Sequence, residues 1–137
     1  MQARPRVLVL SGNEDLLEVL AEVLEGAGFE VGTARVQELE RSEVDAGALL
    51  QGFDPHAIVF ELALPYVRSA ALLAQLRALP EVRGRTLVPV AANARAAQRY
   101  AGPDVLELLL QPQDLAELVA RVTRAVHRAG ADGASAH

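Results

Sequence analysis

The chain has 137 residues, 51% of them hydrophobic, and a net charge of −5 with no basic run, which suits one domain with a full core and argues against a nucleic-acid surface. Cysteine is absent and all 13 basic residues are arginine, which excludes disulfides, thiolate nucleophiles, Schiff-base lysines and a P-loop lysine. No long apolar run is free of charge and the first residues lead straight into a strand, so the expectation is a cytoplasmic protein without membrane insertion.

Residues 6–10 (Arg-Val-Leu-Val-Leu) read as a buried strand ended by Ser11-Gly12-Asn13. Asn13 is a candidate N-cap, with Glu14 and Asp15 in the first turn where acids favour the helix dipole. Leu16, Leu20, Val23 and Leu24 recur at helical spacing until Gly26-Ala27-Gly28 stops the helix. Residues 29–33 form a second strand, and 36–51 a helical segment interrupted by Gly47. The stretch 57–65 (Ala-Ile-Val-Phe-Glu-Leu-Ala-Leu-Pro) shows no period-2 alternation, as expected of a central parallel strand covered on both faces. Its one acid is Glu61.

Residues 69–79 place Leu72, Leu73 and Leu76 on one side of a third helix that closes at Pro80. A fourth strand covers 85–90, although Pro89 removes a ladder donor there. Residues 93–100 form a short helix, 105–110 a fifth strand, and Gln111-Pro112-Gln113 a turn. Asp114 would cap a last helix whose Leu115, Leu118, Val119, Val122 and Val126 make a stripe. The reading therefore assigns residues 1–129 to one domain and 130–137 to a flexible tail or the start of a linker.

Strands alternating with helices give a doubly wound (βα)5 three-layer α/β sandwich, with the flavodoxin-like parallel order 2-1-3-4-5 favoured by right-handed crossovers. Its switch point puts a site between the ends of strands 1 and 3, lined by Ser11, Gly12 and Glu61. His56, His127 and His137 are scattered without metal-ligand spacing, and no dinucleotide fingerprint occurs.

In this order and spacing, Val7-Leu8-Val9-Leu10, Gly28-Phe29-Glu30-Val31, the 54–60 segment, Leu62-Ala63-Leu64-Pro65, Gly102-Pro103-Asp104 and Gln111-Pro112 resemble the CheY-like receiver domain of bacterial response regulators over residues 6–128. The resemblance implies phosphoryl transfer from a histidine kinase to an aspartate after strand 3. An acidic pair after strand 1 holds magnesium there, a hydroxyl ends strand 4 and a lysine ends strand 5. Carried over by position, the acidic pair falls on Ser11 and Gly12, the acceptor on Glu61, the hydroxyl on Ala91 and the lysine on Gln111. The aromatic switch residue falls near Leu108.

With no lysine anywhere to neutralise a transferred phosphoryl group, the expectation is a degenerate pseudo-receiver rather than an enzyme, with no cofactor and no bound metal. It would act as a phosphorylation-independent protein-interaction module in two-component-type signalling. The resemblance implies a face for dimerisation or output docking made by Arg95, Arg99 and Tyr100, Leu106 and Leu108 on the edge strand, and Arg121 and Arg124 on the last helix. Two alternatives stay open: an atypical phosphoryl acceptor at Glu61 or Ser11, and an anion or nucleotide sensor at the Ser11-Gly12-Asn13 loop.

Overall fold

The structure, a computed structural model, describes the backbone of residues 4–135 and the side chains of residues 4–128. Five parallel strands, β1 (Arg6–Ser11), β2 (Glu30–Arg35), β3 (Ala57–Leu62), β4 (Thr86–Ala91) and β5 (Leu106–Glu107), lie in the order β2-β1-β3-β4-β5. The helices are α1 (Glu14–Gly26), α2 (Val36–Glu40), α3 (Ala46–Phe53), α4 (Tyr66–Arg77), α5 (Ala94–Ala101) and α6 (Pro112–Ser135), with a single 3-10 turn at Pro80–Val82. This is the flavodoxin-like order that the alternation of elements implied.

The missing alternation in β1 and β3 has a direct cause. Val7, Val9 and Val59 point to one face, packed under Leu20 and Leu24 of α1 and Leu118 and Val122 of α6. Leu8, Ile58 and Phe60 point to the other, packed under Leu50 of α3, Leu73 and Leu76 of α4, and Ala97 of α5. Each such large side chain taken wholly out of water contributes about 1.5–3 kcal/mol, so both layers hold the sheet. Among the described residues, no helix is long and apolar enough to cross a membrane.

Several boundaries move. The segment expected as one helix over 36–51 is two, because Ser42 takes φ 59° and Asp45 starts a new helix by accepting from the Ala48 N–H at 3.2 Å. Gly47 lies in the first turn of α3, not at the break; a Cβ there would sit 3.0 Å from the tip of the Glu81 side chain, which lies over this turn. The helix expected over 69–79 begins at Tyr66, directly after Pro65.

β5 has two residues rather than the six of 105–110. It pairs with β4 only at Val90 and Ala91. Thr86 N–H reaches back to His56 O and Leu108 N–H reaches Ala91 O, so alternate β4 residues face opposite neighbours. Pro89 thus turns its missing donor toward the side where β5 has not yet begun, which is where a strand tolerates proline. Helix α6 runs to Ser135, through residues the sequence reading assigned to a tail; residues 136 and 137, His137 among them, lie outside the described residues.

Candidate functional site

β1 and β3 end side by side at the carboxyl edge of the sheet and bring Ser11 against Glu61. Ser11 is wholly buried, and its hydroxyl donates to Glu61 Oε1 at 2.6 Å while accepting from the Asn13 N–H at 3.0 Å. Both functions of the hydroxyl are thereby used inside the domain. A charge-assisted O–H···O⁻ bond of this length is among the stronger neutral-to-ion pairs, and it fixes the half-buried Glu61 toward β1.

Gly12 offers no side chain, and the space beside it is taken. Gln37 of α2 donates from Nε2 to Gly12 O at 2.9 Å, and a Cβ on Gly12 would lie 3.2 Å from that nitrogen. Gln37 was invisible to the sequence reading, since only the fold of 36–40 back over the β1 loop brings it there. In the same loop Asn13 Oδ1 accepts from Leu16 N–H at 3.1 Å, so Asn13 caps α1 as expected.

Glu14 pairs with Arg35 at 3.0 Å on the surface, an arrangement that needs no metal. The magnesium that the fold family implies would need several oxygen ligands around a carboxylate cluster. Glu61 is the one carboxylate of the five matched positions, Ser11 is committed to it and Gly12 has no side chain, so these residues do not fit the ion. Among the described residues, no group of three or more metal-ligating side chains occurs.

Ala91 is buried at the end of β4 and presents a methyl group where a hydroxyl was needed. Gln111 is exposed at the start of α6, after Leu110 at φ 62°. Its N–H and that of Leu109 both donate to Asp114, at 3.3 and 3.1 Å. Asp114 is therefore not the residue that starts the helix: it lies in the first turn and reaches back to the loop, as the acid of a capping box does. The structure brings together Ser11, Gly12 and Glu61, with Ala91 on the adjoining strand, whereas the bonds of Gln111 are to its own turn.

Beyond Glu61 a cavity of about 370 Å³ opens between Gln37, Arg41, Leu64 and Arg68. Arg68 is held by Glu40 at 2.9 Å.

The interaction-face residues separate. Arg95, Arg99 and Tyr100 are exposed on α5, and Arg124 is exposed on α6 with Arg121 half-buried beside it. Arg121 and Arg124 line a groove of about 380 Å³ along β4 with Arg128 and Asp104. Leu106 is half-buried. Leu108 is corrected outright: it is buried in the core under α6, because its N–H closes onto Ala91 and turns the side chain inward.

No family model matches the chain. The chain is 33% identical over an alignment of 141 residues to the transcriptional regulatory protein PrrA of Mycobacterium leprae, covering 96% of this chain and 54% of that protein. It thus spans about half the length of the curated relatives it matches. Among solved structures, the CheY-like response regulator receiver domain of Methylobacillus flagellatus superposes with a TM-score of 0.61 at 21% identity, covering 88% of this chain and 99% of that one. A response regulator receiver modulated diguanylate cyclase of Pelobacter carbinolicus gives 0.71 at 12% identity over 94% and 97%. These structural likenesses, with the strand order, lead to one conclusion: the chain has the fold of the CheY-like receiver domains of response regulators, and in sequence it is similar to the transcriptional regulatory protein PrrA.

Proposed function

We propose that this receiver is a pseudo-receiver, which works in two-component signalling by binding a protein and not by accepting a phosphoryl group. The observation that carries the reading is the Ser11 to Glu61 hydrogen bond, with Gln37 seated on Gly12. Where phosphoryl transfer needs an exposed acid and two further acids for a cation, this pocket has an acid bonded to a buried serine and a glutamine filling the adjacent place. Ala91 and Gln111 supply neither hydroxyl nor cation for a developing negative charge. The interacting domain is taken as residues 1–129.

Incubation with magnesium and a small-molecule phosphodonor, followed by intact mass, tests the reading. The expected result is no phosphorylated species while a phosphorylatable receiver in the same tube gains one. A gain of one phosphoryl group on this chain overturns it and favours acceptance at Glu61 or Ser11. Use of the Ser11-Gly12-Asn13 loop as an anion sensor is disfavoured because the Asn13 and Leu16 amides already have acceptors within the chain.

A further inference from the structure

We infer that the groove between the β3–α4 connection and α5 is a docking site for a partner's amphipathic helix, one with bulky apolar side chains on one face and carboxylates along its edge. The inference rests on the protein-binding reading above and names the surface and the chemistry of the partner.

Large apolar side chains are unusually exposed here: Leu64 is 79% accessible, Val67 59% and Tyr100 56%. They share one groove of about 400 Å³, whose walls also include Pro65, Ala96 and Arg99. Scattered exposed apolar residues need no explanation, but a clustered group rimmed by polar ones marks an interaction surface.

The groove is held open by its own hydrogen bonds. The buried Tyr66 accepts at its hydroxyl from the Asn93 N–H at 3.3 Å, tying the start of α4 to the loop before α5. Asn93 caps α5 through Ala96 N–H at 3.0 Å, and Ser69 Oγ binds Ala63 O at 2.8 Å to fix the β3–α4 connection. Walls fixed before binding leave less ordering cost at association.

The occupant follows from shape and charge. Only loop and helix residues line the groove, so an extended segment would find no strand edge to pair with, whereas an apolar helix face can lie in it. Arg95 and Arg99 stand one helical turn apart along α5, both exposed, and among the described residues neither has an ion-pair partner. In a chain of net charge −5 this is a local positive rim, and it selects carboxylates. A second copy is the weaker occupant: its acidic helix α1 turns Leu17, Leu20 and Leu24 into its own core, and its fully exposed positions are five acids and Gly26.

The test is selection from a displayed library of helix-forming peptides with apolar residues at i, i+3 and i+7, flanked either by glutamates or by lysines. Enriched peptides are titrated into the isotopically labelled whole chain and followed by amide shifts. The expected result is enrichment of the glutamate set, shifts confined to Leu64, Val67, Ala96, Arg99 and Tyr100, and binding weakened by about tenfold in Val67→Asp and in Tyr100→Ala. Arg99→Glu should remove the preference for glutamate over lysine, while the remote Arg124→Glu leaves it unchanged. Equal enrichment of both sets, shifts centred on the β4 groove, or self-association through Val67 and Tyr100 by sedimentation would each overturn the inference. Phosphoryl uptake in the mass experiment would refute the pseudo-receiver reading alone, since the titration decides the groove independently.

Discussion

Two carboxylates sit at opposite ends of the same sheet, and their partners differ in kind. At the carboxyl end, Glu61 is bonded by the neutral Ser11. At the amino end, Asp54 is bonded by two arginines: Arg85 at 2.7 Å and Arg6 at 3.2 Å. Arg85 also donates to Pro55 O at 2.7 Å and Glu81 O at 2.6 Å, and Arg6 donates from Nε to Asp54 O at 2.8 Å. Its backbone N–H reaches His56 Nδ1 at 3.0 Å. Arginine–carboxylate pairs occur at both ends, Glu14 with Arg35 and Glu40 with Arg68 among them, but Glu61 itself is held by a neutral hydroxyl where Asp54 is held by two cations. An acid next to arginines ties the fold at the amino end; an acid next to a serine stands at the carboxyl end of β3.

The sharpest way to break this contrast is at the amino end. Arg85→Ala removes three donor contacts from a side chain only 17% exposed, and its expected cost is about 2–3 kcal/mol by urea unfolding, because hydrogen bonds to charged groups contribute more than neutral ones. At the carboxyl end, Ser11→Ala leaves the Asn13 N–H and Glu61 without their shared partner and should cost about 1–2 kcal/mol in the same measurement. A result in which Ser11→Ala costs more than Arg85→Ala would reverse the assignment of the two ends.

Gly12→Asp should cost about 1 kcal/mol, because its Cβ would press on Gln37, and Gln37→Ala made together with it should recover most of that loss. Additive costs in the double-mutant cycle would show that Gln37 does not occupy the acid's place.

The smallest effect is on pH. The hydrogen bond from Arg85, with the charges of Arg85 and Arg6 behind it, holds Asp54 below the usual carboxylate range. A carboxyl depressed on folding contributes stability that is fully present above its unfolded value, about 3.9, and is lost as pH falls through the folded one. With the Asp54 side chain 62% exposed, solvent screening limits this to under about 1 kcal/mol. Acid titration of unfolding stability should therefore show a shallow decline below about pH 4 that flattens in Arg85→Ala.

Legibility from the sequence followed the range of the interaction. The α1 cap was readable because Asn13 and Leu16 are neighbours in the chain. The split of 36–51 was not, because Gly47 looked like a breaker while the turn at Ser42 carries no glycine to mark it. The resemblance puts Leu108 on the docking face as part of an edge strand over 105–110, whereas β5 ends at Glu107 and Leu108 is buried. At the candidate site the residue types were plain, but Gln37 was missed, since its role depends on a fold-back across 25 positions with no local pattern to announce it.

The sequence by itself determined the class and order of the fold, through runs buried on both faces and alternating with helical periods. It also determined which side chains are absent, since no folding can supply a lysine or put acids at positions 11 and 12. Tertiary structure alone decided that Glu61 is bonded to Ser11, that Gln37 covers Gly12, and that Leu64, Val67 and Tyr100 share one groove. The physical reason is that composition and periodicity are carried by neighbours in the chain, whereas a side chain's partner is set by where the strands and helices bring distant residues together.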